Sequence, residues 1–153
     1  MSSRSPTSHS AILLEDRLFV AILAAADALS LQAEQLLKSS SLTGAQYNVL
    51  RILRGAEPQG LACRAIADHM ISHDPDMTRL LDRMEKRALI TRERQTDDRR
   101  IVLTRVTSQG LAILKSLDQP VHDLHKRQFR HMPAARLKAL AKLLDELRAQ
   151  GTP

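Results

Sequence analysis

One stretch of this sequence predicts β structure in a chain whose other apolar residues recur at helical spacing. Residues 90–91 and 101–106 are runs of β-branched and apolar side chains, and residues 92–100 between them are mostly charged or polar. Two such runs joined in this way predict a β-hairpin. The connection is too charged to pack, so the hairpin tip is expected to be exposed. The expected fold is mainly α with a small β-hairpin wing.

Long helices are predicted at both ends of the chain. Apolar residues recur every three or four positions from about residue 11 to residue 38, again after Thr107, and from Pro133 to Leu147. This spacing places them along one helix face. Pro120 has no backbone N–H group, so a kink or break is expected in the helix that contains it. The polar residues 1–9 predict a disordered N-terminal tail.

The middle of the chain predicts three further helices. Thr43 and Gln46 have the spacing of a capping box, and Gly55 and Pro58 end the helix that the box starts. A short helix is expected over residues 61–70. Ser72 is then expected to cap a basic helix that has a proline in its first turn.

Two stripes run along this basic helix. Their centres lie roughly 115° apart, so one stripe can pack while the other meets solvent or phosphate. The apolar stripe comprises Met77, Leu80, Leu81 and Met84, and the basic stripe comprises Arg79, Arg83, Lys86 and Arg87.

The composition of the chain narrows the range of possible functions and partners. The net charge of +6 favours a polyanionic partner, with nucleic acid ahead of an acidic membrane surface. One Tyr, two Phe and no Trp disfavour stacking on single-stranded nucleic acid. No apolar run is long enough to span a membrane, the start does not resemble a secretory signal, and the one cysteine allows no intrachain disulfide. A cytoplasmic protein is expected.

The predicted order of short helix, turn, basic helix and hairpin is that of a helix-turn-helix followed by a wing. From about residue 42 to residue 114 the sequence resembles the MarR (multiple antibiotic resistance regulator) family of bacterial transcription factors. The matching stretches are "LTGAQYNVLRIL", "MTRLLDRMEKRALITRE" and "DDRRIVLTRVTSQG". Residues 98–100 occupy the family's D-x-R wing motif, and residues 107–110 its Thr-x-x-Gly helix start. Ala88 departs from the family, which often has glycine there.

The resemblance implies a DNA-binding transcriptional regulator, a repressor that acts as a homodimer on a pseudo-palindromic operator in double-stranded DNA. Residues 42–106 would form the winged helix-turn-helix DNA-binding domain. Residues 10–38 and 107–153 would form the helical dimerisation region. A small-molecule effector would bind between the two parts, near Tyr47, and release the DNA. The alternative is a protein-interaction module whose basic face docks an acidic partner protein.

Ten residues are candidates for contact with DNA. Arginines at the wing tip suit a narrow minor groove, and a neighbouring aspartate can hold one of them in position. The candidates are Ser72, His73, Asp74, Asp76, Thr78, Arg79, Arg83, Asp98, Arg99 and Arg100.

Each candidate also has a plainer interpretation. The "DDRR" tip could be a solvated turn whose charges pair with each other, and Arg79 and Arg83 could lie on a solvated helix face. Thr78 could bond back into its own helix. Asp74 and Asp76 would repel phosphates, although either can accept a hydrogen bond from a cytosine amino group.

Other chemistry has little support. Cys63 could sense peroxide, but its expected helix face favours a small buried core residue. His122 and His125 lie three positions apart and could share a metal ion, but a solvated helix face is the favoured interpretation. His69 and His73 flank the predicted turn, where they could cap a helix or touch phosphate. The sequence has no Gly-rich phosphate loop, H-E-x-x-H or nucleophile elbow, so neither an enzyme nor a cofactor is predicted.

Overall fold

The structure is a computed structural model that describes residues 13–72 and 74–150. Within them it contains six α-helices and three short strands. These are α1 (Leu14–Leu37), α2 (Gly44–Gly55), β1 (Leu61–Ala62), α3 (Cys63–His69), α4 (Met77–Lys86), β2 (Ile90–Arg94), β3 (Val102–Val106), α5 (Ser108–Phe129) and α6 (Ala134–Gln150). The predicted mainly α fold with a β-hairpin wing is confirmed. The predicted tail and the candidate His73 lie outside the described residues.

The sheet is antiparallel, with β3 in the centre and β1 and β2 on either side. Ile90 pairs with Val106 at the base of the hairpin, and Arg94 pairs with Val102 near its tip. The residues between these last two form the exposed connection. Residues 95–101 therefore project from the sheet as the tip of the wing.

The strand β1 corrects the prediction of one helix over residues 61–70. Leu61 and Ala62 pair with β3, with Leu61 opposite Thr104, and only then does α3 begin. On the side of β3 that faces away from β2, backbone groups would lack hydrogen-bond partners, and β1 provides them. Gly60 allows the approach, because a Cβ atom on it would lie 2.7 Å from the carbonyl oxygen of Thr104.

One apolar core joins the middle of the chain to the start of α5. The apolar stripe of α4 lies within it, as predicted, and the end of α1 contributes to one side. The buried members are Leu37, Leu42, Val49, Leu50, Leu53, Ile66, Met77, Leu80, Leu81, Met84, Leu89, Ile90, Val106, Leu114 and Leu117. The predicted capping box is also confirmed, because Thr43 Oγ1 accepts from the N–H of Gln46 while Gln46 Oε1 accepts from the N–H of Thr43.

Helix α4 begins later than predicted. Its N-cap is Asp76, whose Oδ1 accepts from the backbone N–H of Arg79 at 3.2 Å. Ser72 therefore does not cap the helix, and Pro75 precedes it. Asp74 explains the late start, because its Oδ1 accepts from the N–H of Asp76 at 2.9 Å and holds the preceding turn in a non-helical conformation.

The turn from α4 into β2 places Ala88 in the left-handed region. Its φ angle is 54°, a conformation that costs a residue with a Cβ roughly 1 kcal/mol more than glycine. The turn is closed by two hydrogen bonds, from Ala88 N–H to Glu85 and from Leu89 N–H to Met84. Ala88 thus takes the left-handed conformation although it is not the glycine that the family often has here. The turn keeps the geometry of a helix C-terminal cap.

Helix α5 runs without a break through Pro120. Thr107 caps its start as predicted, accepting from the N–H of Gly110 at 3.0 Å. The break expected at Pro120 does not occur. Both Pro120 and Ser116, whose carbonyl loses its partner, lie on the exposed side of the helix, where water can bond to that carbonyl. Among residues 13–72 and 74–150, no helix combines the length and apolar character needed to cross a membrane.

Candidate nucleic-acid interface

The outer face of α4 is polar and open to solvent. Thr78, Arg79, Arg83 and Lys86 are exposed on it. Within the described part of the chain, Thr78 makes no side-chain hydrogen bond, so the alternative of a bond back into its own helix is not realised there. Arg79 is held at the start of the helix, where its Nε lies 3.2 Å from Asp76 Oδ2, although its side chain is 81% exposed.

Arg87 does not belong to this exposed face, contrary to the predicted basic stripe. Its Nη1 donates to the carbonyl oxygen of Ser41 at 2.7 Å and to Oε1 of Gln46 at 3.2 Å. Gln46 of the α2 capping box therefore also binds Arg87 at the C-terminal end of α4. Arg87 is half-buried, and its role is to join two helices.

At the wing tip, an aspartate and an arginine are paired. Oδ1 of Asp98 accepts from the backbone N–H of Arg100 at 3.0 Å and from its Nε at 3.2 Å, while Nη2 of Arg100 lies 3.3 Å from Oδ2. These bonds to Arg100 lower the pKa of Asp98 below its ordinary value. The side chain of Arg100 remains 91% exposed, and Arg99 beside it is also exposed. The expected pairing of Asp98 with a neighbouring arginine is present.

A second arginine, Arg92 on β2, joins the wing to α4. Its Nη2 bonds to Oδ1 of Asp82 and, at 2.6 Å, to Oε2 of Glu85, and its Nε donates to the same Glu85 oxygen at 3.0 Å. The hydrogen bond with Glu85 raises the pKa of Arg92. The side chain is 25% exposed. We call Arg92, Asp82 and Glu85 the wing clamp.

The wing clamp was not predicted from the sequence. A signal for it does exist, since Asp82 and Glu85 are three positions apart on one helix and an arginine stands near the start of the strand that follows. The same signal is common in sequences without such a contact. A second wing arginine was also missed: Arg105 donates to the carbonyl oxygen of Pro58 and to Glu93, and so fixes the base of the hairpin.

The region around Tyr47 lies where α2 meets α5. Tyr47 is half-buried, and burial raises the pKa of its hydroxyl. The guanidinium of Arg51 lies 5.9 Å from the centre of its ring. Nearby, Nη1 of Arg54 bonds to both oxygens of Asp118 at 3.0 Å, which ties α2 to α5. A polar cluster therefore links the two parts of the chain at this point.

The remaining candidates have local roles or none. Cys63 is half-buried against the core. Nδ1 of His69 donates to the carbonyl oxygen of Ala65 at 2.7 Å, which caps the end of α3. Ser72 is exposed in the turn before α4. In residues 13–72 and 74–150, no group of three or more His, Cys, Asp or Glu side chains could hold a metal ion.

The described candidates fall on two neighbouring elements of one lobe, which the wing clamp joins. Those of the turn and helix lie before and along α4, and Asp98, Arg99 and Arg100 lie on the wing that follows it. A helix-turn-helix formed by α3 and α4 and followed by a β-hairpin is the architecture of winged-helix DNA-binding proteins.

Comparison with known proteins identifies the family. Residues 42–102 match the sequence model of the MarR family. The chain is 35% identical to the MarR transcription factor from Planctomyces limnophilus, covering 87% of this chain and 96% of that one with a TM-score of 0.68. It is 26% identical over 138 residues to the homoprotocatechuate degradative operon repressor of Escherichia coli, covering 90% of this chain and 92% of that protein.

A third comparison is with a crystal structure of a mutant MarR from E. coli complexed with operator DNA. It is 25% identical, covers 86% of this chain and 93% of that one, and superimposes with a TM-score of 0.78. The chain belongs to the MarR family. It is a DNA-binding transcription regulator, and the relatives compared are regulators rather than enzymes.

Proposed function

We propose that this protein is a cytoplasmic homodimeric repressor that binds a pseudo-palindromic operator in double-stranded DNA and is released by a small-molecule effector. The names of two relatives support the first part, since one is an operon repressor and another was crystallised with operator DNA. In this proposal, residues 42–106 bind DNA. Residues 10–38 and 107–153 form the dimerisation region.

One observation carries the proposal: the guanidinium groups of two highly exposed arginines are each paired with an aspartate. Arg79 is paired with Asp76 at the start of α4, and Arg100 is paired with Asp98 at the wing tip. Exposed ion pairs also form between solvated surface charges, but here each pair fixes the position of a cation that would be directed into a groove. These two arginines lie on the helix and on the wing, the two elements that face the grooves in this architecture.

The first part of α4 and the turn before it would face the major groove. Thr78, Arg79 and Arg83 would contact bases or phosphates from the helix. Ser72, His73 and Asp74 would approach from the turn. Asp76, which caps α4, would repel phosphates and so favour a site where a cytosine amino group is within reach.

The wing would enter the adjacent minor groove. Arg99 and Arg100 carry the positive charge there, and Asp98 directs Arg100. A narrow minor groove concentrates negative potential, which attracts a guanidinium without requiring a particular base. The wing would therefore supply affinity and position, and α4 would supply most of the base discrimination.

The ends of the chain present the surface that a second copy would cover. Helix α6 has no buried residue, and large apolar side chains are exposed along it and along α1. The two helices line an apolar groove of about 720 Å³. The exposed side chains include Leu14, Leu18, Phe19, Val20, Leu23, Leu140, Leu143, Leu144 and Leu147. Exposed apolar area of this extent is typical of an interface between subunits.

The effector would bind between the two parts of each protomer, beside Tyr47. The ring of Tyr47 offers an apolar wall, and Arg51 and Arg54 offer charge for an anionic group. A ligand that competes with Asp118 for Arg54 would loosen the tie between α2 and α5. The spacing of the two DNA-binding domains in the dimer would then change.

Selection of bound sequences from a random duplex pool tests the proposal. We expect an enriched inverted repeat, because a two-fold symmetric dimer places two identical lobes on the DNA. Enrichment of a single asymmetric site would contradict the homodimeric arrangement. The absence of any enrichment would contradict the proposed function as a whole and would favour docking on an acidic protein.

A further inference from the structure

One large apolar side chain of the DNA-binding lobe is almost fully exposed. Within the described part of residues 42–106, the large apolar side chains are buried or half-buried except for Ile71, which is 83% exposed, and Ile101, which is 38% exposed. The other exposed large apolar residues lie on or next to α1 and on α6. Ile71 therefore belongs neither to the core nor to the apolar surface at the ends of the chain.

The backbone at Ile71 is held in place. Its N–H donates to Oδ1 of Asn48 on α2 at 2.8 Å. The residue before it, Met70, packs against the core and donates its N–H to the carbonyl oxygen of Ala67 at the end of α3. The chain thus fixes the backbone on one side while the Ile71 side chain faces solvent.

A single exposed apolar residue is ordinary on a protein surface, so its position must supply the argument. Ile71 lies in the turn of the helix-turn-helix, followed by the exposed Ser72 and then by α4. Around this turn a lysine, arginine or serine would bond to phosphate, and isoleucine cannot. The apolar group that base edges present in the major groove is the C5-methyl of thymine.

We propose that Ile71 is a specificity-determining residue that packs against a thymine methyl group in each half of the operator. This inference rests on the proposed function, because it requires the turn before α4 to face the major groove. Contact with a methyl group distinguishes thymine from cytosine and from uracil through apolar contact rather than hydrogen bonding. It complements the polar contacts proposed for Arg79 and Asp76.

The test removes one methyl group at a time from the DNA. The duplex enriched from the random pool is prepared with uracil in place of each thymine in turn, at symmetric positions in both halves. At one such position, we expect wild-type affinity to fall about fourfold for each methyl lost, and about sixteenfold for both halves together, from the transfer free energy of a methyl-sized group. The variant Ile71→Ala should bind the thymine and uracil duplexes at this position equally.

The comparison of protein variants separates the contact from an effect of uracil on DNA shape. A shape effect would persist in Ile71→Ala, whereas a lost contact would not. Ile101→Ala is the matched control, because it makes the same change at the other exposed isoleucine of the lobe. It should keep the wild-type response to uracil, whatever its overall affinity. Because Ile71 lies outside the core, its substitution should leave the fold intact.

Two results would overturn the inference and leave the proposed function standing. One is a wild-type protein that binds every uracil duplex as tightly as its thymine counterpart. The other is an Ile71→Ala variant whose response to uracil equals that of the wild type. If the random pool yields no enriched duplex at all, the proposed function fails, and the inference fails with it.

Discussion

Loss of the wing clamp should misalign the wing and α4 without removing a contact to DNA. Arg92 bonds to Asp82 and Glu85 on α4 and is three-quarters covered. Both carboxylates are more than a third exposed, so each ion pair contributes about 0.5–1 kcal/mol rather than the several kcal/mol of a buried pair. Arg92→Ala should therefore reduce the free energy of unfolding by about 1–2 kcal/mol and lower Tm by roughly 2–8 °C.

The same variant should bind the operator about three- to tenfold less tightly, because without the wing clamp the wing and α4 are less well aligned with each other. The diagnostic quantity is the slope of log affinity against log salt concentration. A side chain that meets a phosphate contributes about one unit to this slope, and one that only positions other groups contributes none. For Arg92→Ala we expect the slope to stay at its wild-type value while the affinity falls.

Two comparisons make the result interpretable. Lys115→Ala removes one positive charge from an exposed position of α5 and should change neither stability nor affinity appreciably. Arg92→Lys keeps the charge but cannot form both bonds in the same plane, so it should recover only part of the loss. All variants are compared at one protein concentration, because dimerisation contributes to apparent stability.

A double-mutant cycle tests the clamp itself. In a Glu85→Gln background, Arg92→Ala should cost less than it does in the wild type, because part of the interaction is already gone. Denaturant titration gives the stability cycle, and operator titration gives the binding cycle. Additive effects in both cycles, or a salt slope that falls by a full unit per protomer in Arg92→Ala, would refute the positioning role.

Four further outcomes are expected. Asp98→Ala should weaken operator binding although it removes a negative charge, because Arg100 loses its support; tighter binding at moderate salt, in the same titration, would show that the aspartate does not aim the arginine. The lowered pKa of Asp98 keeps its carboxylate ionised down to acidic pH, and the ion pair is lost only as pH falls below the ordinary aspartate pKa. The wing's contribution to binding, measured as the ratio of operator affinities of the wild type and Arg100→Ala, should therefore be constant through the neutral range. A decline of this ratio at neutral pH would count against the ion pair. Asp76→Asn keeps an N-cap but removes the charge, so it should raise the affinity for scrambled duplex and lower the ratio of operator affinity to scrambled-duplex affinity. Arg79→Ala should lower operator affinity by about 1–3 kcal/mol and, if Arg79 meets a phosphate, reduce the salt slope by about one unit per protomer. An unchanged affinity ratio in both variants would mean that α4 is not the reading helix. Deleting all residues after Gln119 should give monomers or insoluble chains in sedimentation analysis, and a stable soluble dimer would exclude the proposed dimerisation region.

Local signals predicted most of the fold. The capping box at Thr43 and Gln46, the apolar stripe of α4 and the strand pattern around the wing each depend on residues close together in the chain. Such features follow from helix and strand geometry, whatever the rest of the molecule does. They were sufficient to predict a mainly α fold with one hairpin.

The errors arose where distant or competing contacts decide the structure. The two residues of β1 are a strand only because β3 lies beside them, and no local pattern shows this. Ser72 was the predicted helix cap, but Asp76 caps the helix, because Asp74 accepts a competing hydrogen bond from the N–H of Asp76 in the turn between them. The contacts of Arg87 and Arg92 depend on how α4 meets α2 and β2, which is a property of the packed lobe.

In the proposed complex, two identical lobes, each contacting DNA through α4 and the wing, bind one duplex with a fixed separation. The most direct measurement is operator affinity and stoichiometry on the enriched inverted repeat and on the same duplex with about five base pairs, half a helical turn, inserted between its halves. We expect two protein chains per duplex on the unmodified repeat. We also expect most of the specific affinity to be lost on insertion, because the second half-site then faces away from the second lobe. One chain per duplex, or equal affinity for both duplexes, would exclude this arrangement.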